Sequence, residues 1–169
     1  MGANDQGVDK ARWAAIPRTL CFVTNGNDVL LLKRAAHKRA FPGLYNGVGG
    51  HLERNEDPYS GAVREIHEET GLSVSQVQLR GITHIDPRGE VGILLFIFTA
   101  VTESREVGIC DEGTLEWIPL TRVFDLPLVE DLPTVLPLLF GDAKIGLPFF
   151  AHVRYNDADQ LIMTFAANV

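Results

Sequence analysis

One 23-residue segment, residues 50–72, limits the local structure more than any other part of this chain. It reads GHLERNEDPYSGAVREIHEETGL. Asp57 is a residue type that caps helix N-termini, Pro58 is favoured at the first helical position, and Gly71 suits a helix end. The segment from about 58 to 70 is therefore predicted to be a helix.

Three carboxylates of this helix, Glu65, Glu68 and Glu69, are three and four residues apart and so share one face. Ala62 and Ile66 lie on another face and can pack against a sheet. Like charges at these spacings, near a helix C-terminus, cost a few tenths of a kcal/mol to about 1 kcal/mol each. A solvated face would usually alternate its acids with lysines, and this one does not. Clustered carboxylate oxygens suit hard divalent ions, so the pattern predicts a Mg²⁺ or Mn²⁺ site.

The same segment fills every fixed position of the Nudix box, so the chain resembles a Nudix hydrolase. The matching positions are Gly50, Glu56, Arg64, Glu65, Ile66, Glu68, Glu69, Gly71 and Leu72. The resemblance implies an α/β (α+β) fold, namely the Nudix-type α/β/α sandwich around a mixed, partly antiparallel sheet. It also implies hydrolysis of a pyrophosphate bond in a substrate that carries a nucleoside diphosphate linked to another group.

Roles for the box residues follow from the resemblance. Metal ligands are implied at Glu65, Glu68 and Glu69, joined by the carbonyl of Gly49 or Gly50. Support of the loop and helix by an ion pair is implied for Glu56 and Arg64. Divalent ions screen the phosphates and acidify a bound water, and a carboxylate then accepts its proton. Candidates for this catalytic base are Glu68, Glu69 and Glu112.

Beyond the box, residues 44–50 (LYNGVGG) resemble the stretch before the box in the MutT-like 8-oxo-dGTP diphosphatases. In that subgroup an Asn at the position of Asn46 contacts the purine, and a pair of acids corresponds to Glu130 and Asp131. Two departures stand out. The first acid is Glu rather than Asp, and the base-stacking Trp is replaced near Leu128 or Val129.

Each candidate substrate residue also has a structural explanation. Asn46 can bond its own backbone at a turn or strand end, and Asp131 can cap a helix. Phe41 either stacks on a base or packs on the core. Four basic residues either meet phosphates or are surface residues, and these are Lys33 and Arg34 at the end of a predicted strand and Lys38 and Arg39 in the loop that follows.

Length and composition narrow the class of protein further. The chain has 169 residues, which suits a single domain over residues 16–169 after a patternless tail, residues 1–15. The net charge of −7 argues against binding a nucleic acid polymer. Cys21 and Cys110 suggest no disulfide, and the chain shows no signal region or membrane-spanning run, so we expect a cytoplasmic protein. The sequence does not determine the oligomeric state.

Hydrophobic runs and turn signals predict a strand-rich chain with two helices. Asn25-Gly26 indicates a hairpin, and Pro137 predicts a break in the second helix. Strands are predicted at 18–24, 28–34, 44–49, 77–85, 91–101, 114–118, 149–155 and 161–166, and the second helix at 131–140.

Three hypotheses for function follow. The first is a Mg²⁺-dependent hydrolase that converts a nucleoside triphosphate to a monophosphate and pyrophosphate, with removal of oxidised purine nucleotides as its purpose. The second is a Nudix hydrolase of ADP-ribose or another dinucleotide or sugar nucleotide. That subgroup has a proline after the box, and Pro87 stands one residue short of its usual spacing. The third is a Nudix module that binds a nucleotide without hydrolysing it.

Overall fold

The computed structural model describes residues 2–7, 9, 11–141 and 148–166. These residues form eight strands, two α-helices and two short 3-10 helices. The strands are β1 (Ala14–Asn25), β2 (Asp28–Arg34), β3 (Tyr45–Asn46), β4 (Ser75–Ile85), β5 (Val91–Val101), β6 (Gly113–Pro119), β7 (Phe149–Tyr155) and β8 (Leu161–Phe165). The helices are α1 (Pro58–Thr70) and α2 (Leu132–Phe140), and the 3-10 helices span Ala3–Gln6 and Leu120–Asp125.

A single mixed sheet carries the fold. Its strand order is β3-β2-β1-β5-β4-β7-β8, with β6 also paired to β2. The β1–β5 and β4–β7 pairs are parallel and the other strand pairs are antiparallel. Helix α1 covers one face and α2 the other, so the predicted α/β/α sandwich with a mixed sheet is confirmed.

The central strand β1 shows why both faces are covered. Leu20 and Phe22 belong to the core under α2, whereas Cys21 and Val23 belong to the core under α1. A strand that is buried on both faces reads as a continuous apolar run instead of an alternating one. No helix in the described part of the chain is long and apolar enough to cross a membrane.

Helix α1 begins and ends where its sequence predicts. The Asp57 Oδ1 accepts hydrogen bonds from the Tyr59 N–H at 2.9 Å and the Ser60 N–H at 3.1 Å. Gly71 ends the helix with a left-handed φ of 75°. Ile66 is fully buried against the sheet, which contributes roughly 1.5–3 kcal/mol.

The predicted break at Pro137 is wrong, because α2 continues through this residue. A proline inside a helix costs about 3 kcal/mol. Burial of the apolar face, at roughly 1.5–3 kcal/mol for each side chain, exceeds that cost. The buried side chains of this face are Leu132, Val135, Leu136 and Leu139.

The β1–β2 hairpin opens beyond its turn. The two strands pair only from Val23 to Asn25 on β1, and the chain that leads to α1 then inserts between them. Within the inserted segment, residues 45–52, Val48 exchanges backbone hydrogen bonds with Cys21 at 2.7 and 3.1 Å. Because of this insertion the predicted strand at 44–49 is regular only over Tyr45–Asn46.

The domain begins earlier than the sequence suggests. Strand β1 starts at Ala14, inside the segment 1–15 that was expected to be a tail. Trp13 packs edge-on against His84, with ring centroids 4.8 Å apart, and its Nε1–H bonds the Gly89 carbonyl at 3.3 Å. The tail prediction missed this contact because His84 and Gly89, the partners of Trp13, lie more than seventy residues away along the chain.

Candidate active site

The inserted segment brings two glycines next to the carboxylates of α1. Gly49 has a φ of +139°, and a Cβ on it would lie 2.4 Å from the Thr19 carbonyl oxygen, so only glycine fits. A Cβ on Gly50 would lie 2.5 Å from Glu65 Oε1. The glycines therefore let the backbone approach the acidic face of the helix closely.

Glu69 faces this segment directly. Its Oε2 accepts a hydrogen bond from the Gly49 N–H at 2.9 Å. The pKa of Glu69 is raised to about 7, mainly by burial and in addition by the nearby charges of Glu65 and Glu112, while the Gly49 bond opposes them. A cation bound beside it would favour the ionised carboxylate.

Arg64 binds three of the box carboxylates. Its Nη2 lies 2.6 Å from Glu56 Oε1, and its Nη1 lies 3.0 Å from Glu65 Oε1 and 2.9 Å from Glu68 Oε2. The Glu56 hydrogen bond is the main reason that the pKa of Arg64 is raised, and the same bond lowers the pKa of Glu56. Arg64 also donates to the His51 carbonyl at 3.1 Å, which ties the helix to the inserted segment.

These residues offer the donors that a hard divalent cation prefers. Within residues 2–7, 9, 11–141 and 148–166, no three His, Cys, Asp or Glu side chains are already placed to hold an ion. Glu68 points to Arg64 and Glu69 to the Gly49 N–H. The Gly50 carbonyl accepts from the Thr19 N–H at 2.8 Å, which leaves its second lone pair for a ligand. The oxygen donors fit Mg²⁺ or Mn²⁺ after a rotation of side chains.

Glu112 lies on the same side of the sheet but has two cationic partners. Its Oε2 is 3.1 Å from Arg34 Nη2, and its Oε1 is 2.6 Å from Lys38 Nζ. The Lys38 hydrogen bond is the main reason that the pKa of Glu112 is lowered. A carboxylate held in this way is a weaker proton acceptor than Glu69.

Two of the predicted substrate residues lie near the inserted segment. Asn46 Oδ1 accepts a hydrogen bond from the Gly47 N–H at 2.9 Å, so the local backbone contact that the sequence allowed is present. Phe41 does not pack on the core, because its side chain is 43% exposed. It has a φ of +52°, which is unusual for an aromatic residue.

The other two, Glu130 and Asp131, follow a segment that pairs with β3. The Tyr45 N–H bonds the Pro127 carbonyl at 2.9 Å, and the Val129 N–H bonds the Tyr45 carbonyl at 3.1 Å. This pairing brings Asn46 and the two acids to the same edge of the sheet. Glu130 is exposed and Asp131 is half-buried.

Asp131 does not act as the helix cap that its position suggested. Its backbone is helical, and its side chain makes no capping hydrogen bond. Burial raises the pKa of Asp131, and the Glu130 charge adds to this effect. Tyr155 of β7 lies near both acids, which raise its pKa in addition to burial.

Sequence reasoning missed Tyr45, Glu116 and Tyr155 as polar residues of this region. The Tyr45 hydroxyl donates to Glu116 Oε2 at 3.0 Å, and Lys33 Nζ lies 5.5 Å from the centre of the Tyr45 ring. Glu116 interrupts an otherwise apolar strand, a signal that could have identified it. Tyr155 gave no such signal, because it stands in an ordinary alternating strand.

Comparison with known proteins agrees with the geometry. A model of the NUDIX domain matches residues 15–139. An oxidized purine nucleoside triphosphate hydrolase of Mus musculus is 30% identical over 146 residues, or 85% of this chain and 89% of that protein. A MutT-like protein of Streptomyces ambofaciens is 30% identical over 128 residues, or 75% of this chain and 77% of that protein.

Solved structures give the same result for the fold. The crystal structure of a mutator MutT protein from Bacillus halodurans superposes with a TM-score of 0.75 and 25% identity, covering 91% of this chain and 99% of that one. The family model matches most of the chain, and the carboxylates of α1 lie against the glycine segment as the box requires. The chain therefore belongs to the NUDIX domain family and is a Nudix pyrophosphohydrolase.

Proposed function

We propose that the protein hydrolyses purine nucleoside triphosphates, oxidised ones included, to a monophosphate and pyrophosphate with Mg²⁺ or Mn²⁺ as cofactor. The observation that carries the proposal is the convergence of Glu65 and Glu69 on Gly49 and Gly50. The similarity to the mouse oxidized purine nucleoside triphosphate hydrolase over 85% of the chain supports the choice of substrate.

Each group of this site has a definite task in the reaction. Glu65, Glu68, Glu69 and the Gly50 carbonyl would hold the cations, which supply charge neutralisation and an activated water when bound. Arg64 holds two of these carboxylates in place and offsets their repulsion. Glu69 is the better placed proton acceptor, because Glu112 is engaged by two cations.

The base would lie at the edge formed by β3 and the segment before α2. Asn46 and Asp131 reach this edge from different parts of the chain. Their amide and carboxyl groups can match the donors and acceptors of a purine, and a site built on such hydrogen bonds rejects bases that lack them.

A substrate panel tests the proposal. Formation of nucleoside monophosphate, the product common to all of them, is measured with purine and pyrimidine triphosphates, 8-oxo-dGTP and ADP-ribose, each with Mg²⁺ and with excess chelator. The proposal expects the highest kcat/KM with a purine triphosphate and no turnover in chelator. A higher kcat/KM for dCTP or ADP-ribose than for every purine triphosphate would reject the substrate, and undiminished turnover in chelator would reject the metal.

ADP-ribose is the second candidate substrate. It is favoured by an ADP-ribose pyrophosphatase of Methanocaldococcus jannaschii that is 34% identical over 90 residues, although these are only 52% of each protein. The same panel decides between the two. A binding module without catalysis is not favoured, because every box glutamate is present.

We place this activity in the cytoplasm. Cys21 and Cys110 are both free thiols, as is usual in a reducing compartment. Subcellular fractionation of the native host tests this location, and recovery of the protein in an oxidising compartment would reject it.

A further inference from the structure

The cationic loop between β2 and β3, residues 35–43, has backbone hydrogen bonds at its two ends, from the Ala35 N–H to the Glu112 carbonyl and from the Gly43 N–H to the Arg34 carbonyl, and one carboxylate binds its side chains. Glu112 binds Arg34 at the start of this loop and Lys38 within it, at 3.1 and 2.6 Å. The Arg34 Nε–H also donates to the Ala40 carbonyl at 2.8 Å, which draws the loop together. We call Arg34, Lys38 and Glu112 the Glu112 clamp.

The clamp carries more positive than negative charge. Two cations share one carboxylate, and none of the three side chains is more than 36% exposed. A cavity of about 480 Å³ opens beside it, and its lining includes Lys33, Arg34 and His37 together with one acid, Asp111. Lys33 and Arg34, at the end of β2, therefore offer the cavity's cations to an anion.

The segment that carries Glu112 also contacts the helix of the box carboxylates. The Gly108 N–H bonds the Thr70 carbonyl at the end of α1 at 2.8 Å, and Cys110, which lines the cavity, packs against the core that contains Ile66 of α1. If the base lies at the edge formed by β3 and the segment before α2, the polyphosphate would extend from there past the carboxylates of α1 to this loop. Its phosphoryl oxygens bind Arg and Lys more strongly than a single carboxylate does, because they carry more charge and more acceptors.

We propose that the Glu112 clamp is an exchange gate for the phosphate tail of the substrate. In the free enzyme Glu112 holds Arg34 and Lys38 beside the cavity. When substrate binds, the terminal phosphates take over both cations and Glu112 is released. After hydrolysis Glu112 competes with pyrophosphate for the same cations and so favours release of the product. The inference rests on the proposed function, since a nucleoside triphosphate supplies the anion.

Binding of inorganic pyrophosphate in Mg²⁺ buffer, measured by calorimetry, tests the gate without any base or any turnover. Loss of one charge-assisted hydrogen bond in Lys38→Gln should weaken binding about tenfold, and Lys38→Arg should restore most of it. Arg39→Gln is the matched control, because Arg39 is the exposed neighbour on the same loop. It should change the Kd less than about twofold, as expected for a screened surface charge.

The direction in which Glu112→Gln changes the affinity for pyrophosphate decides whether the gate exists. If Glu112 competes with the phosphates, this variant should bind pyrophosphate several-fold more tightly. If Glu112 only braces the loop, the variant should bind more weakly, and that result would overturn the gate. Equal effects of Lys38→Gln and Arg39→Gln would overturn it as well. Thermal unfolding of each variant checks that the domain remains folded.

The two proposals fail in different experiments. An enzyme that prefers ADP-ribose but shows the expected pyrophosphate pattern would retain the gate and lose the proposed substrate. An enzyme that prefers purine triphosphates while Glu112→Gln weakens pyrophosphate binding would retain the substrate and lose the gate.

Discussion

The two proposed sides of the candidate active site are built in different ways. The proposed metal side consists of neighbours in the sequence, since Glu65, Glu68 and Glu69 lie on two turns of one helix. The proposed base side combines Asn46 and Asp131 from two segments that meet only when the sheet forms. A helix face depends on local spacing, whereas an edge of this kind depends on strand register and on the path of loops. We therefore expect changes on the metal side to affect the rate for every substrate, and changes on the base side to affect the choice among substrates.

The largest effect is expected for Glu69→Gln on the metal side. The substitution keeps the shape of the side chain and removes the charge, so kcat should fall at least about 10²-fold, as for loss of an electrostatic catalytic contact. Steady-state assays on several triphosphates provide the measurement. A rate close to wild type would show that Glu69 is not a ligand or base.

The same variant should be more stable than wild type, although its kcat is lower. Burial raises the pKa of Glu69 from 4.5 to about 7, so the unfolded state loses this proton more easily than the folded state. Without metal, this group makes wild type progressively less stable as pH rises from about 4.5 to about 7. The Tm advantage of Glu69→Gln should therefore grow over that range and then level off. An advantage that is independent of pH would contradict the shift.

Gly49→Ala is expected to have the next largest effect. The new Cβ would lie 2.4 Å from the Thr19 carbonyl oxygen, at a φ of +139°. Such backbone strain costs on the order of 1–3 kcal/mol. Relief of the clash would also move the Gly49 N–H, which donates a hydrogen bond to Glu69. A lower midpoint in urea and a lower kcat for all substrates should appear together. Gly26→Ala is a useful control, because it also has a positive φ, of +59°, but no atom within 4 Å of a Cβ.

Asn46→Ala tests whether a change on the proposed base side alters the choice among substrates without lowering the rate for all of them. We expect the preference for purine over pyrimidine triphosphates to fall by roughly tenfold, the value of about one hydrogen bond to a buried polar group. Turnover of the pyrimidine substrates should stay close to wild type. Equal losses for all substrates would instead assign Asn46 to the support of the glycine segment, through its bond to the Gly47 N–H.

The smallest effect is expected for Asp131→Asn without substrate. Burial raises the pKa of Asp131 above 3.8, so the ionised side chain destabilises the folded protein as pH rises through that value. The variant should be slightly more stable than wild type at neutral pH, and the difference in Tm should vanish in acid. A variant that is less stable at neutral pH would show that the carboxylate has a partner in the folded state.

The contrast between the two sides also explains what the sequence could reveal. Asp57, Pro58 and Gly71 act within one turn of where they stand, so the helix could be predicted with its limits. The bonds from Lys38 to Glu112 and from Tyr45 to Glu116 cross more than seventy residues. No local pattern indicates such pairs, because they depend on how β2 and β6 are aligned. Pro137 misled the prediction because its local penalty is smaller than the gain from burying four neighbouring side chains.

The segment inserted into the open hairpin has a consequence for how this enzyme can change over time. Residues 45–52 bond β1 and β2 on both sides, so gaining or losing one residue there would turn every following side chain to the wrong face. Residues 35–43 form no strand, and the loop is held by backbone bonds at Ala35 and Gly43 and by Lys38 on Glu112. If this loop contacts the phosphates as proposed, a change in its length would alter which phosphate tails fit without shifting the register of α1.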